Sequence, residues 1–202
     1  MLLNLFLFIF ISLVAPVSSN RISYSIKDNS SLTLMGSSNL NRFQCTTYEN
    51  LSNGYIYIIT EDEKDYVKFT NAILKINIKS FDCKNPMLNK DFYRALNANE
   101  SPTIDVELLG AVPVNSGKIL RTRDGRFIAD VAITLNGISR PDEIIVHWEK
   151  TASNVYRFIG EKELRMSDFD IDPPVAALGL IKVHDEITIH FDLFIQANSK
   201  II

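Results

Sequence analysis

The chain has 202 residues, 46% of them hydrophobic and 22% charged, with a net charge of −3. That balance is ordinary for a folded domain and excludes a disordered chain. It also leaves no basic footprint for nucleic acid or for an anionic membrane surface, so neither is expected as a partner.

The first nineteen residues, "MLLNLFLFIFISLVAPVSS", hold no charged side chain, carry an apolar run from Leu5 to Val14 and end in the small residues Ser18 and Ser19. This is the anatomy of a secretory signal peptide cleaved after Ser19, although the usual Lys or Arg before the apolar run is missing. The run is shorter than the roughly 20 residues a spanning helix needs, so no stable membrane anchor is expected. Residues 1–19 are thus expected as signal and 20–202 as a single mature domain, periplasmic or secreted.

From residue 21 onward the sequence alternates with a period of two, the pattern of strands with one apolar face. Strands are expected in "RISYSIK", "SLTLMG", "RFQCTTYE", "GYIYIIT" and "YVKFTNAILKINIK". Turn chemistry falls at Asn53-Gly54, "TEDEKD" and, further on, "NSGK" and Asp124-Gly125. Residues 85–98 break the alternation: Asn85 can cap, Pro86 suits a first helical turn, and Leu88, Phe92, Ala95 and Leu96 share one helical face. Beyond this short amphipathic helix, "TIDVELL" aligns Ile104, Val106 and Leu108, and "RFIADVAITL" aligns Phe127, Val131, Ile133 and Leu135. "DEIIVHWEK" groups Ile144, Val146 and Trp148, "VYRFIGEKELRM" is a further strand, and "EITIHFDLFI" puts Ile187, Ile189, Phe191, Leu193 and Ile195 on one side. Roughly eight to ten such strands with short polar connections predict an all-β fold, an antiparallel sandwich or closed barrel.

Cys45 and Cys83 would both meet an oxidising compartment after export, and a disulfide between them is the expectation. Two free buried thiols are the alternative. A metal site has little support, since neither cysteine belongs to a C-x-x-C pair or neighbours a histidine. Catalysis finds no foothold: there is no G-x-S-x-G elbow, and His147 and His190 alternate with apolar neighbours that face the core, which turns both outward. His184 shares the parity of His190 without forming a ligand pattern. No catalytic residue, metal or cofactor is therefore assigned.

"SDFDIDPP", residues 167–174, places Asp168, Asp170 and Asp172 on one face if the stretch is extended. A calcium loop would need Gly at its sixth place and Glu at its twelfth, where Pro173 and Gly179 stand. The expectation is a solvated strand end, with Phe169 and Ile171 pointing inward and Asp172 capping a helical turn at "PPVAALGL".

Four segments in order resemble the YceI-like family of secreted bacterial proteins. "FDCKNPMLNKDFYRALNANESPTIDVEL" carries Ser101-Pro102-Thr103-Ile104 where the family has a Y-P-T-I-like element. "RFIADVAITLNGISRPDEIIVHWE" is similar to G-x-L-T-L-x-G-V-T-K-P through Leu135, Gly137, Ile138, Ser139 and Arg140. "FIGEKELRMSDFDI" is similar to F-x-G-x-x-x-x-x-R-S-D-F-G-I, with Met166 and Asp170 departing from the usual Arg and Gly. "DEITIHFDLFI" resembles the closing strand. The resemblance implies an extended antiparallel lipocalin-like β-barrel of about eight strands with one short helix. It also implies a non-catalytic role, the interior holding an apolar small molecule of the isoprenoid or quinone class. The residues expected to line it are Ile104, Val106, Leu108, Phe127, Val131, Ile133, Val146, Trp148, Phe169, Ile189 and Phe191. The same alternation suits a filled core, so a secreted structural or interaction protein with no lipid ligand stays open beside it.

Overall fold

A computed structural model describes residues 18–198 apart from 50, 52, 61–64 and 115–122. The apolar run from Leu5 to Val14, the centre of "TEDEKD" and the "NSGK" turn lie outside the described residues.

Twelve strands and one α-helix follow one another among the described residues. The strands are β1 (Ser18–Ile26), β2 (Ser31–Ser38), β3 (Arg42–Thr47), β4 (Gly54–Thr60), β5 (Val67–Thr70), β6 (Ile73–Asn77), β7 (Thr103–Pro113), β8 (Asp124–Leu135), β9 (Ile138–Ala152), β10 (Val155–Arg165), β11 (Val175–Ala176) and β12 (Ile181–Ala197). The helix α1 (Pro86–Ala95) lies between β6 and β7.

All pairings are antiparallel, and the order β1-β4-β5-β7-β8-β9-β10-β12 closes on itself because β12 also pairs β1. The expected barrel is therefore an eight-membered ring, but several of its members are assembled from two short strands. β1 and β2 lie end to end along β12, Tyr24–Ile26 opposite Ile195–Ala197 and Ser31–Gly36 opposite Ile187–Asp192. Likewise β5 and β6 lie end to end along β7. "YVKFTNAILKINIK" is thus two strands: Asn71 takes the left-handed conformation at φ 62° and kinks the chain between them, which asparagine tolerates better than most residues.

At the end of the ring nearest α1 the wall is completed by β3. Thr46 and Asp82 exchange backbone hydrogen bonds of 3.1 and 3.0 Å, and the adjacent Cys45–Cys83 disulfide locks the same seam. α1 begins where expected. Asn85 accepts from the amides of Met87 and Leu88 at 2.9 and 3.1 Å, and Pro86 opens the first turn. Phe92 packs edge-on against Phe81, and Tyr93 donates its hydroxyl hydrogen to the Phe81 carbonyl at 2.6 Å.

Several local expectations are corrected. Asn53-Gly54 and Asp124-Gly125 are strand starts, while the tight turn between β8 and β9 is Asn136-Gly137, both with positive φ (52° and 76°), as a type I′ hairpin demands. "SDFDIDPP" is not extended: Met166–Phe169 form a 3-10 turn ended by Asp170 at φ 52°. The three aspartates therefore do not form one strand face. Asp170 occupies the place where the family pattern carries Gly, and aspartate is among the few other residues that accept this conformation. Phe169 and Ile171 are nonetheless buried, as expected. "PPVAALGL" is not a helical turn capped by Asp172. Val175–Ala176 pair back onto β12 as a small hairpin, and Leu178 and Gly179 both have positive φ, which no α-helix permits.

Candidate ligand-binding interior

Directly opposed residues of an antiparallel pair project to one face, so the registers carry the inner surface around the ring. From the buried Val131 and Ile133 the pairing passes to Leu108 and Val106 on β7. In the other direction Phe127 opposes Val146, Val146 opposes Gly160, Gly160 opposes Phe191, and Phe191 opposes Leu32. Phe158 stands between Trp148 and Leu193, and Ile26 meets Ile195.

Ten of the eleven residues singled out from the sequence fall on this strand-borne face; the eleventh, Phe169, reaches the core from the 3-10 turn. Ile104, Phe127, Val131, Ile133, Val146, Trp148 and Phe169 are buried, while Val106, Leu108, Ile189 and Phe191 are half-buried. Sequence reasoning passed over Tyr24, Ile56, Ile58 and Phe158 on the same face. "GYIYIIT" is apolar at nearly every position, so its parity could not be read. In β10 the inner face runs Tyr156, Phe158, Gly160, Lys162 and Leu164, and a glycine and a lysine interrupt the alternation that would have marked it.

The strands around the interior differ in burial. On β8 the inward residues Phe127, Ala129, Val131, Ile133 and Leu135 are all buried, as are Ile144, Val146 and Trp148 on β9. On β12 the inward residues Ile187, Ile189, Phe191, Leu193 and Ile195 are all only half-buried, as are Ile56 and Ile58 on β4 and Phe158 on β10. Burial is thus uneven around the ring: β8 and β9 are covered along their inner faces, whereas β12 keeps apolar surface within reach of solvent even though Ile22, Ile26, Leu32 and Leu34 on the neighbouring β1 and β2 are buried. Gly160 helps shape the wall beside β12, because the Phe191 ring lies where a β-carbon would stand, 2.5 Å from its nearest ring atom. Tyr24 lies over Gly54 in the same way, and burial pushes its phenol pKa up.

The wall also has a seam. The β9–β10 ladder ends at Gly160–Val146, and beyond it no backbone rung joins the two strands among the described residues. Side chains span the gap instead. Lys162 reaches Asp142 Oδ1 at 2.5 Å and the Glu143 carbonyl at 3.1 Å, and Arg140 Nε donates to the Asp168 carbonyl at 2.9 Å. Register puts Asp142 opposite Val131 and Lys162 opposite Ile189, so the ion pair belongs to the inner face. A cavity of about 220 Å³ opens there, lined by Ile133, Arg140, Pro141, Asp142, Leu164, Asp168 and Phe169.

The histidines do not converge. His147 is exposed on the outer face of β9, His184 is exposed and shares a 3.0 Å hydrogen bond with Ser37 Oγ, and His190 sits opposite Thr33. No group of three or more His, Cys, Asp or Glu is placed to hold a metal among the described residues. No helix among them is long and apolar enough to cross a membrane. The chemistry this interior offers is chiefly burial of apolar surface, with an ion pair at the seam.

No protein-family model and no curated protein matches the sequence. Solved structures do match in fold. The chain aligns with BcnA of Burkholderia cenocepacia at a TM-score of 0.60 and 14% identity, over 84% of this chain and 98% of that one. It aligns with a polyisoprenoid binding domain from Saccharophagus degradans, implicated in plant cell wall breakdown, at a TM-score of 0.61 and 11% identity, over 87% and 99%. The Campylobacter jejuni YCEI protein aligns more loosely, at a TM-score of 0.44 and 14% identity, over 98% and 94%. The chain has the YceI-like barrel fold.

Proposed function

We propose that the protein is an exported, non-catalytic carrier that holds an isoprenoid or quinone-class lipid inside the barrel. The observation that carries this reading is the unevenness of the interior: five successive inward residues of β12 keep accessible apolar surface while those of β8 and β9 are buried. A filled core has no use for that difference, whereas a long chain laid along β12 and β4 would cover it. Each buried methylene would contribute about 0.8 kcal/mol without needing a polar partner. The likeness in fold to a domain described as polyisoprenoid-binding supports the same ligand class.

The leader in residues 1–19 would deliver the protein to an oxidising compartment, in keeping with the Cys45–Cys83 disulfide. Cleavage after Ser19 would remove the first two rungs of β1 and leave the pairing of Asn20–Tyr24 with β4 in place. The test is a thermal melt with and without a long-chain polyprenol. A ligand that binds only the folded state raises Tm, by an amount that grows with its concentration. A melting temperature indifferent to polyprenols and long-chain quinones alike would favour a secreted structural protein with a filled barrel.

A further inference from the structure

We infer that the seam between β9 and β10 is the head-group site of the lipid, and that it takes a neutral, carbonyl-bearing ring rather than a phosphate. The inference rests on the carrier reading and adds to it the place and chemistry of the polar end. Three observations support it. First, the seam brings an ion pair onto the inner face, since Lys162 opposes Ile189 and lies two residues from Gly160, across which the Phe191 ring lies. A chain running along the half-buried face of β12 therefore leads to this cluster.

Second, the cluster has donors to spare. Lys162 uses two of its three N–H groups, on Asp142 and the Glu143 carbonyl. Arg140 uses Nε on the Asp168 carbonyl, and its Nη groups have no hydrogen-bond partner among the described residues. Third, the cavity that Arg140 lines also carries the acidic residues Asp142 and Asp168, and Lys162 is already paired with Asp142. A phosphate would have to compete with Asp142 for Lys162 and lie near both carboxylates. A quinone carbonyl accepts the spare donors and leaves the ion pair intact. The cavity of about 220 Å³ is large enough, given that an apolar cavity of about 150 Å³ holds benzene.

Displacement of an environment-sensitive apolar dye from the purified protein tests this with three probes that share a decyl chain: a decyl benzoquinone, decylbenzene and decyl phosphate. The quinone is expected to bind about tenfold tighter than decylbenzene, the effect of one hydrogen bond from a charged donor. In Arg140→Gln and in the double variant Lys162→Met with Asp142→Leu, that ratio is expected to fall toward one. The double variant removes both charges together, so neither is left uncompensated and the barrel keeps its fold. A ratio that persists in both variants, or decyl phosphate binding tighter than the quinone, overturns the head-group assignment while the carrier reading stands. Failure of all three probes to displace the dye overturns both.

Discussion

Arg157 shows how single side chains brace this barrel from outside. It sits on the outer face of β10 and donates to both oxygens of Asp192 on β12 at 2.8 and 2.7 Å, and to Glu149 on β9 at 3.2 Å. Its guanidinium also stacks on Phe194, 5.2 Å from the ring centre. Bidentate geometry with a partly buried carboxylate puts this pair above the ordinary surface ion pair. Arg157→Ala is expected to cost about 1–2 kcal/mol in a urea melt, and Arg157→Lys to recover little of it, because lysine cannot make the fork. Asp82 acts through pH. Hydrogen bonds from Asn89 first, and then from Lys84, hold its carboxyl down at about 2. A depressed carboxyl contributes stability that is whole above its unfolded pKa of about 4 and lost as pH falls toward 2. Asp185, held down by Ser167, works in the same direction. Asp82→Asn should therefore flatten the fall of Tm between about pH 4 and pH 2, by a small amount because the carboxylate is exposed; an unaltered acid limb would contradict the assignment.

At the scale of elements, the split strands decide what has to be held by other means. β3 meets the segment after β6 through one bridge at Thr46–Asp82, with the disulfide beside it, across a sequence separation of 38 residues. Reduction, or Cys83→Ser, is expected to destabilise by about 4 kcal/mol in the chain-entropy account, and amide exchange should rise first in β3. The β11 hairpin carries a local conflict: Leu178 is fully exposed and left-handed at φ 56°. Relief of about 1–2 kcal/mol of backbone strain outweighs the roughly 0.5–1 kcal/mol of extra chain entropy that glycine brings. Leu178→Gly is thus expected to raise Tm slightly. The long strands β8, β9 and β12 and the helix were legible in the sequence, since each has a strong period and α1 has a cap and a proline. The 3-10 turn at Met166–Phe169 was not, because "SDFDI" alternates like a strand and only the left-handed Asp170 breaks it. Nor was the hairpin at Val175–Ala176, where two prolines and small residues imitate a helix start.

For the whole molecule, alternation showed which residues face inward but not how tightly they are covered. Phe127 and Phe191 share the inner face by the same parity, yet one is sealed and the other half-exposed. That difference depends on the curvature of the ring and on what crosses from the opposite wall, which no local pattern encodes. The seam was equally hidden: "EKELR" and "SRPDE" look like solvated charge, and only the end of the β9–β10 ladder turns Lys162 and Asp142 into the one ion pair that faces inward among the described residues. On the carrier reading, the half-covered face along β12 holds a lipid. The test is to purify the protein from its own host without detergent, extract it with organic solvent and analyse the extract by mass spectrometry. A reproducible polyisoprenoid or prenylated quinone is expected in near-stoichiometric amount, lost on denaturing washes and depleted in Phe191→Asp. An extract free of isoprenoid from folded protein, repeated after incubation with total lipid from the same host, would contradict that reading.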